Sequence, residues 1–153
     1  MHTSYSDELV QKNSRNVRGV LTTEQFKQAF PATRMAPDSF AKKHWNTTEG
    51  GEFHAVSTSS AVTGFECGMD GDPFDGMLII DDPEKASGMS SAPYRSQMKD
   101  VAGQTIGTRL NHDDTPVLVI QQRTHPDDVS NWLMSGGTGD HWDVLCFAAI
   151  SDT

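Results

Sequence analysis

Basic side chains are in short supply. Lysine and arginine number 12 against 21 aspartates and glutamates, a net charge of −9 over 153 residues with histidine neutral. That balance excludes a nucleic-acid surface spread over the whole chain, because phosphate contacts need clustered positive charge. It leaves room for a local contact, or for binding carried by a neighbouring domain or subunit. Cysteine is scarcer: Cys67 and Cys146 stand alone and far apart. Without CxxC spacing, neither a disulfide framework nor a zinc knuckle is indicated, and a reducing, cytosolic setting is expected. No apolar run approaches the ~20 residues that cross a bilayer, so no membrane partner is expected. The first residues, Met1 to Glu8, lack the basic and apolar regions of a secretory signal. The seven methionines show no helical spacing and read as packing filler.

What is there is an ordinary globular composition, 35% hydrophobic and 22% charged, long enough for one domain and a sizeable core. Its organising stretch is Gly76-Met77-Leu78-Ile79-Ile80-Asp81-Asp82-Pro83. Four large apolar residues run into two adjacent carboxylates, and a proline ends the pattern. A continuous apolar run fits a strand buried on both faces, as in a parallel sheet covered by helices. The carboxylates then stand at the strand's C-terminal end, where open α/β sheets hold ligands. One acid for Mg²⁺ and the next to position a water is the Walker B pattern. A core strand ending in a solvated Asp-Asp turn explains the same octapeptide.

Ahead of it, Ser6 is expected to cap a helix with Asp7 and Glu8 in its first turn. Thr22 and Gln25 form a capping box for a second helix, with Phe26 and Phe30 paired and Pro31 closing it. Ser39–Trp45 fits a helical turn or an extended segment equally well. After Gly50-Gly51 the alternation through Phe53, Ala55 and Val56 predicts a strand, paired as a hairpin with 61–65. Asp70, Asp72 and Asp75 lack the glycine and distal glutamate of a calcium loop. A small-residue loop over 85–93 reads as mobile, and a helix follows from about Tyr94, weakened by Gly103. Val117–Ile120 is the second strong strand and ends in Gln121-Gln122-Arg123. Thr124 or His125 is expected to cap a helix carrying Val129, Trp132 and Leu133, and Trp142–Ile150 reads as a closing strand. Alternating strands and helices predict an α/β fold with a mostly parallel sheet flanked by helices.

Several pieces occur together: Gly50-Gly51, Thr63-Gly64, Ile79-Ile80-Asp81-Asp82-Pro83, Thr108-Arg109-Leu110, the run Val119 to Asp128, and Trp142 to Ile150. In this order and spacing they resemble the ATPase domain of tailed-phage terminase large subunits, the motors that package DNA into capsids. Ser4 to Arg15, Arg18 and Phe30-Pro31 look like that family's segment after the Walker A helix, so the resemblance covers nearly the whole chain. It implies a partial P-loop NTPase core of the ASCE type over residues 1–153, the Walker B and coupling-motif half, with no nuclease domain. By the resemblance Asp81 is the Mg²⁺-associated acid and Asp82 the catalytic acid. Gln121 and Gln122 at the strand end sense the nucleotide's γ-phosphate, and Arg123 belongs to the catalytic set. Arg123, His125 and Asp128 match a recurring Arg-x-His-x-x-Asp pattern, whose local explanation is capping and ion pairing. Implied cofactors are ATP and Mg²⁺. Implied partners are an upstream P-loop segment, the phage portal and small terminase, and double-stranded DNA through a complete, homo-oligomeric motor in the host cytoplasm.

The departures are as informative. No Gly-x-x-x-x-Gly-Lys-Ser/Thr occurs, so the phosphate cradle and its lysine are missing. The tryptophan expected near Val101 is absent, and Ala148 stands where relatives tend to carry proline. The expectation is the later half of an ATPase domain, from a split or truncated reading frame or a degenerate copy, inactive alone. Two other functions compete. One is a non-catalytic module binding other packaging components. The other is a two-metal nuclease using Asp81 and Asp82 with Asp113, Asp114, Asp127 or Asp128, which needs those carboxylates to converge.

Overall fold

The computed structural model describes residues 1–39, 41–58, 60, 65–68 and 76–147. Its strands are β1 (His2–Ser4), β2 (His44–Asn46), β3 (Glu52–Ser57), β4 (Leu78–Asp81) and β5 (Val117–Ile120). Its α-helices are α1 (Asp7–Leu21), α2 (Glu24–Ala29), α3 (Ala92–Arg109) and α4 (Val129–Met134). The sheet runs β2-β3-β1-β4-β5. β1 pairs in parallel with both β3 and β4, β4 pairs in parallel with β5, and β2 alone is antiparallel. The fold is therefore α/β with a mostly parallel sheet.

Helix α1 covers one face. Val10, Ser14 and Leu21, near-multiples of the 3.6-residue turn apart, are its buried positions. Ser14 accepts the indole N–H of buried Trp45 at 3.0 Å, and Trp45 stacks on Phe53 with centroids 4.8 Å apart. Helices α3 and α4 cover the other face, where Leu78 and Ile80 of β4 meet Ala102, Ile106, Val129 and Leu133. Gly103 has a packing role within α3: a Cβ there would stand 3.1 Å from the ring of Trp132. No described helix is long and apolar enough to cross a membrane.

Several expectations change. The second helix is capped by Thr23, not Thr22, with its hydroxyl accepting from Phe26 N at 3.2 Å. The undecided 39–45 segment ends in β2, which forms the hairpin with β3, whereas 61–64 lie outside the described residues, as do Asp70, Asp72 and Asp75. The 85–91 loop is pinned rather than loose: Tyr94 accepts from Lys85 N at 2.8 Å, and Arg95 donates to the Met89 carbonyl at 2.7 Å. Helix α4 starts four residues later than expected from Thr124, at the cap Asp128. The closing strand is not formed over 142–147, where Val144, Leu145 and Phe147 are exposed; 148–150 lie outside the described residues. A strand needs a neighbour for its backbone hydrogen bonds, and no described strand supplies one to this segment.

Candidate functional site

β4 and β5 end side by side, with Asp81 beside Ile120 in register. The apolar residues set this alignment. Leu78 and Ile80 take one face and Ile79 and Asp81 the other, so the run can end in a carboxylate without burying it. Asp82 follows with φ 45, a left-handed conformation that aspartate tolerates better than most residues. That turn is held from three sides. Asp82 N donates to the Ile120 carbonyl at 2.8 Å, and its carbonyl accepts from Tyr5 N at 3.0 Å and from the Ser4 hydroxyl at 3.4 Å.

The two carboxylates have different partners, Asp81 at the end of β4 and Asp82 in the left-handed turn after it. Asp81 Oδ2 accepts from the Asn13 side-chain amide of α1 at 2.8 Å and lies 3.5 Å from His2 Nε2. Burial pushes the His2 pKa down, against the pull of Asp81, so the ring is held toward its neutral form. Asp82 Oδ1 faces the start of the next loop, where Gln122 N donates to it at 3.5 Å.

Behind these acids lies a buried polar network. Glu84 accepts through Oε2 from the Gln121 amide and from Val129 N at 3.2 Å, while its Oε1 is buried without a partner. Burial pushes its pKa up. The hydrogen bonds from Val129 and Gln121 oppose that shift, and nearby Asp128 adds to it. Gln121 in turn accepts through Oε1 from Ser130 N at 3.2 Å and from its hydroxyl at 2.7 Å. Asp128 is fully buried, caps α4 by accepting from Asn131 N at 2.9 Å, and accepts from Arg123 Nε at 2.8 Å. His125 Nδ1 accepts from Asp127 N at 2.9 Å. Asp127 is paired with Arg95 and Lys99, which hold its carboxyl below the usual range.

The structure thus brings Asp81, Asp82, Gln121, Gln122 and Arg123 to one end of the sheet. It gives Arg123, His125 and Asp128 local capping and pairing contacts. Asp113 and Asp114 precede β5 and lie at the opposite end of a strand roughly 13 Å long. The carboxylates of a two-metal site therefore do not converge, and among the described residues no third ligating group joins Asp81 and Asp82. Sequence reasoning missed Glu84, Asn13 and His2. Glu84 carried a faint signal as a third acid after Asp82-Pro83; the other two carried none. The oxygen donors of Asp81 and Asp82 suit a hard cation such as Mg²⁺. The triphosphate of a nucleotide finds no glycine-rich lysine loop in this chain. Neither the family models nor the curated proteins compared with the chain give a match.

Proposed function

We propose that this chain is the Walker B and coupling-motif half of a DNA-packaging ATPase of the tailed-phage terminase kind, completed by a P-loop segment that it does not itself contain. One observation carries the reading. Among the described residues, β5 is a parallel strand covered on one face and paired on one edge. Its Val117 and Val119 pack against the core, but Leu118 and Ile120 on the opposite face are 43% and 49% exposed. Parallel strands are ordinarily buried on both faces. The bare strand ends beside Asp81 and Asp82, where a strand and phosphate loop from a P-loop segment would bring nucleotide against the acids. Among the described residues, the exposed 142–147 segment is a second apolar stretch without a sheet neighbour.

In this reading Asp81 holds Mg²⁺ and Asp82 aligns the attacking water. Gln121 links the nucleotide end of β5 through Glu84 and Ser130 to the start of α4. The complete motor, in the host cytoplasm, would oligomerise on the portal with the small terminase and act on double-stranded DNA. A second reading, an assembly module without turnover, is favoured by the Asn13 hydrogen bond that already engages Asp81.

Translating the DNA that flanks the reading frame, and co-expressing any segment with the pattern strand–Gly-x₄-Gly-Lys-Ser/Thr, separates the two. The motor reading predicts co-purification and Mg²⁺-dependent ATP hydrolysis. Co-purification without hydrolysis supports the assembly module, and failure to find or bind such a segment contradicts the motor.

A further inference from the structure

At the other end of the sheet from the paired aspartates, three ligating side chains meet on one face of the β2–β3 hairpin. His44 and His54 are directly opposed across the antiparallel pair. Glu52 lies two residues before His54, which places it on the same face of β3. The ligating atoms of all three lie within 4.8 Å of one another. Glu52 Oε1 sits between two imidazoles, 2.6 Å from His54 Nε2 and in contact with His44 Nε2. The two rings are stacked with centroids 3.8 Å apart, and Phe65 packs against His54 at 4.1 Å.

We propose that His44, Glu52 and His54 form a binding site for a divalent transition-metal ion, zinc by the character of its ligands. Two imidazoles and one carboxylate are a borderline-soft set. They match zinc and its neighbours, whereas Ca²⁺ and Mg²⁺ prefer all-oxygen shells. Zinc takes nitrogen at about 2.0–2.1 Å and carboxylate oxygen at about 2.0–2.2 Å, which sets neighbouring ligand atoms roughly 3.3 Å apart. The cluster reaches that spacing when the Nε2–Oε1 contacts open by about 1 Å and the two stacked rings rotate so that their in-plane lone pairs converge. His44 and Glu52 are exposed, which leaves the fourth position to water.

The site has a structural use in this fold. β2 is a three-residue edge strand, and one metal bond from His44 to the ligands of β3 clips that edge to the sheet. Binding to the folded form alone stabilises it by mass action. This places a metal far from Asp81 and Asp82, and the inference stands whether or not those acids serve an ATPase.

The test is metal titration of the full chain, stripped with chelator. Zn²⁺ is followed by competition with a chromophoric chelator and Co²⁺ by its visible absorption. The site predicts one equivalent bound, Co²⁺ bands without thiolate charge transfer, and a higher melting temperature with Zn²⁺. His44→Ala and the shape-preserving Glu52→Gln, each checked for folding by circular dichroism, should weaken binding beyond the ~10–100-fold that losing a supporting partner costs. Cys146→Ser should bind like the parent. No uptake, or uptake that survives both variants or disappears with Cys146→Ser, overturns the site.

Discussion

Gln121 donates its side-chain amide to the buried carboxylate of Glu84 while accepting from Ser130 at the start of α4. Three segments meet in that chain of contacts: the loop after β4, the end of β5 and the first turn of α4. Hydrogen bonds thus tie the loop after β4 and the end of β5 to the start of α4.

Glu84 should give the fold a measurable pH dependence. Burial raises its pKa in the folded protein, so the folded state holds the proton more tightly than the unfolded chain. Its contribution to stability is complete at low pH. That contribution is lost as pH rises from the ordinary glutamate value of about 4.3 through the raised folded one. Glu84→Gln removes this titration. Urea midpoints from pH 4 to 8 should fall more steeply for the parent than for the variant. Parallel profiles would show that Glu84 does not titrate as described. The difference between the two proteins is the readout, because the lowered pKa values of Asp7 and Asp127 act with the opposite sign in both.

Gly137 is a packing position. An added Cβ would fall within the indole of Trp132, which also rests against Gly103. Gly137→Ala should destabilise by about 1–3 kcal/mol through overpacking, more than the ~0.4–1 kcal/mol that reduced unfolded-state freedom returns. Chemical denaturation gives the number, and a gain in stability would mean that Trp132 moves aside at little cost.

Self-association is expected at the β5 face. β4 lies inside the sheet with Leu78 and Ile80 buried, whereas Leu118 and Ile120 of β5 are exposed. An open strand edge beside apolar side chains promotes association. Sedimentation velocity should show concentration-dependent oligomers of the parent chain, reduced by Leu118→Lys with Ile120→Lys at little cost in stability. A parent that stays monomeric contradicts this.

The chain alone should not take up nucleotide. In P-loop enzymes the loop amides and lysine provide much of the β- and γ-phosphate contact, and neither is present here. Calorimetric titration with Mg²⁺ and ATP should give no heat of binding. Micromolar affinity would place a different phosphate site on this molecule.

What the sequence made legible was the part governed by long-period pattern. β4 and β5 stood out as continuous apolar runs, and their polar ends located the candidate site. β2 did not stand out, because three residues with one tryptophan have no period; it exists through pairing with β3 and the Trp45–Ser14 contact. The start of α4 was misplaced because Thr124, His125 and Asp128 are all competent caps, and the buried pairing of Asp128 with Arg123 decides among them. Trp142–Ile150 had the composition of a strand, but over 142–147 no described strand is its neighbour. Glu84 carried only a faint signal for a related reason. Its burial comes from the approach of Gln121 and Val129, more than 35 residues away.

If the end of β4 is a Walker B element, Asp81 and Asp82 divide the work of binding and hydrolysis between them. With the P-loop segment co-expressed, nucleotide affinity and steady-state turnover are measured for Asp81→Asn and Asp82→Asn. Asparagine tolerates the left-handed backbone at position 82, so the second variant removes charge with little strain. Asp82→Asn should keep nucleotide affinity and lose turnover by about 100-fold or more. Asp81→Asn should lose Mg²⁺-dependent affinity as well. Hydrolysis at the parental rate by Asp82→Asn would contradict the assignment and leave the strand end a solvated turn.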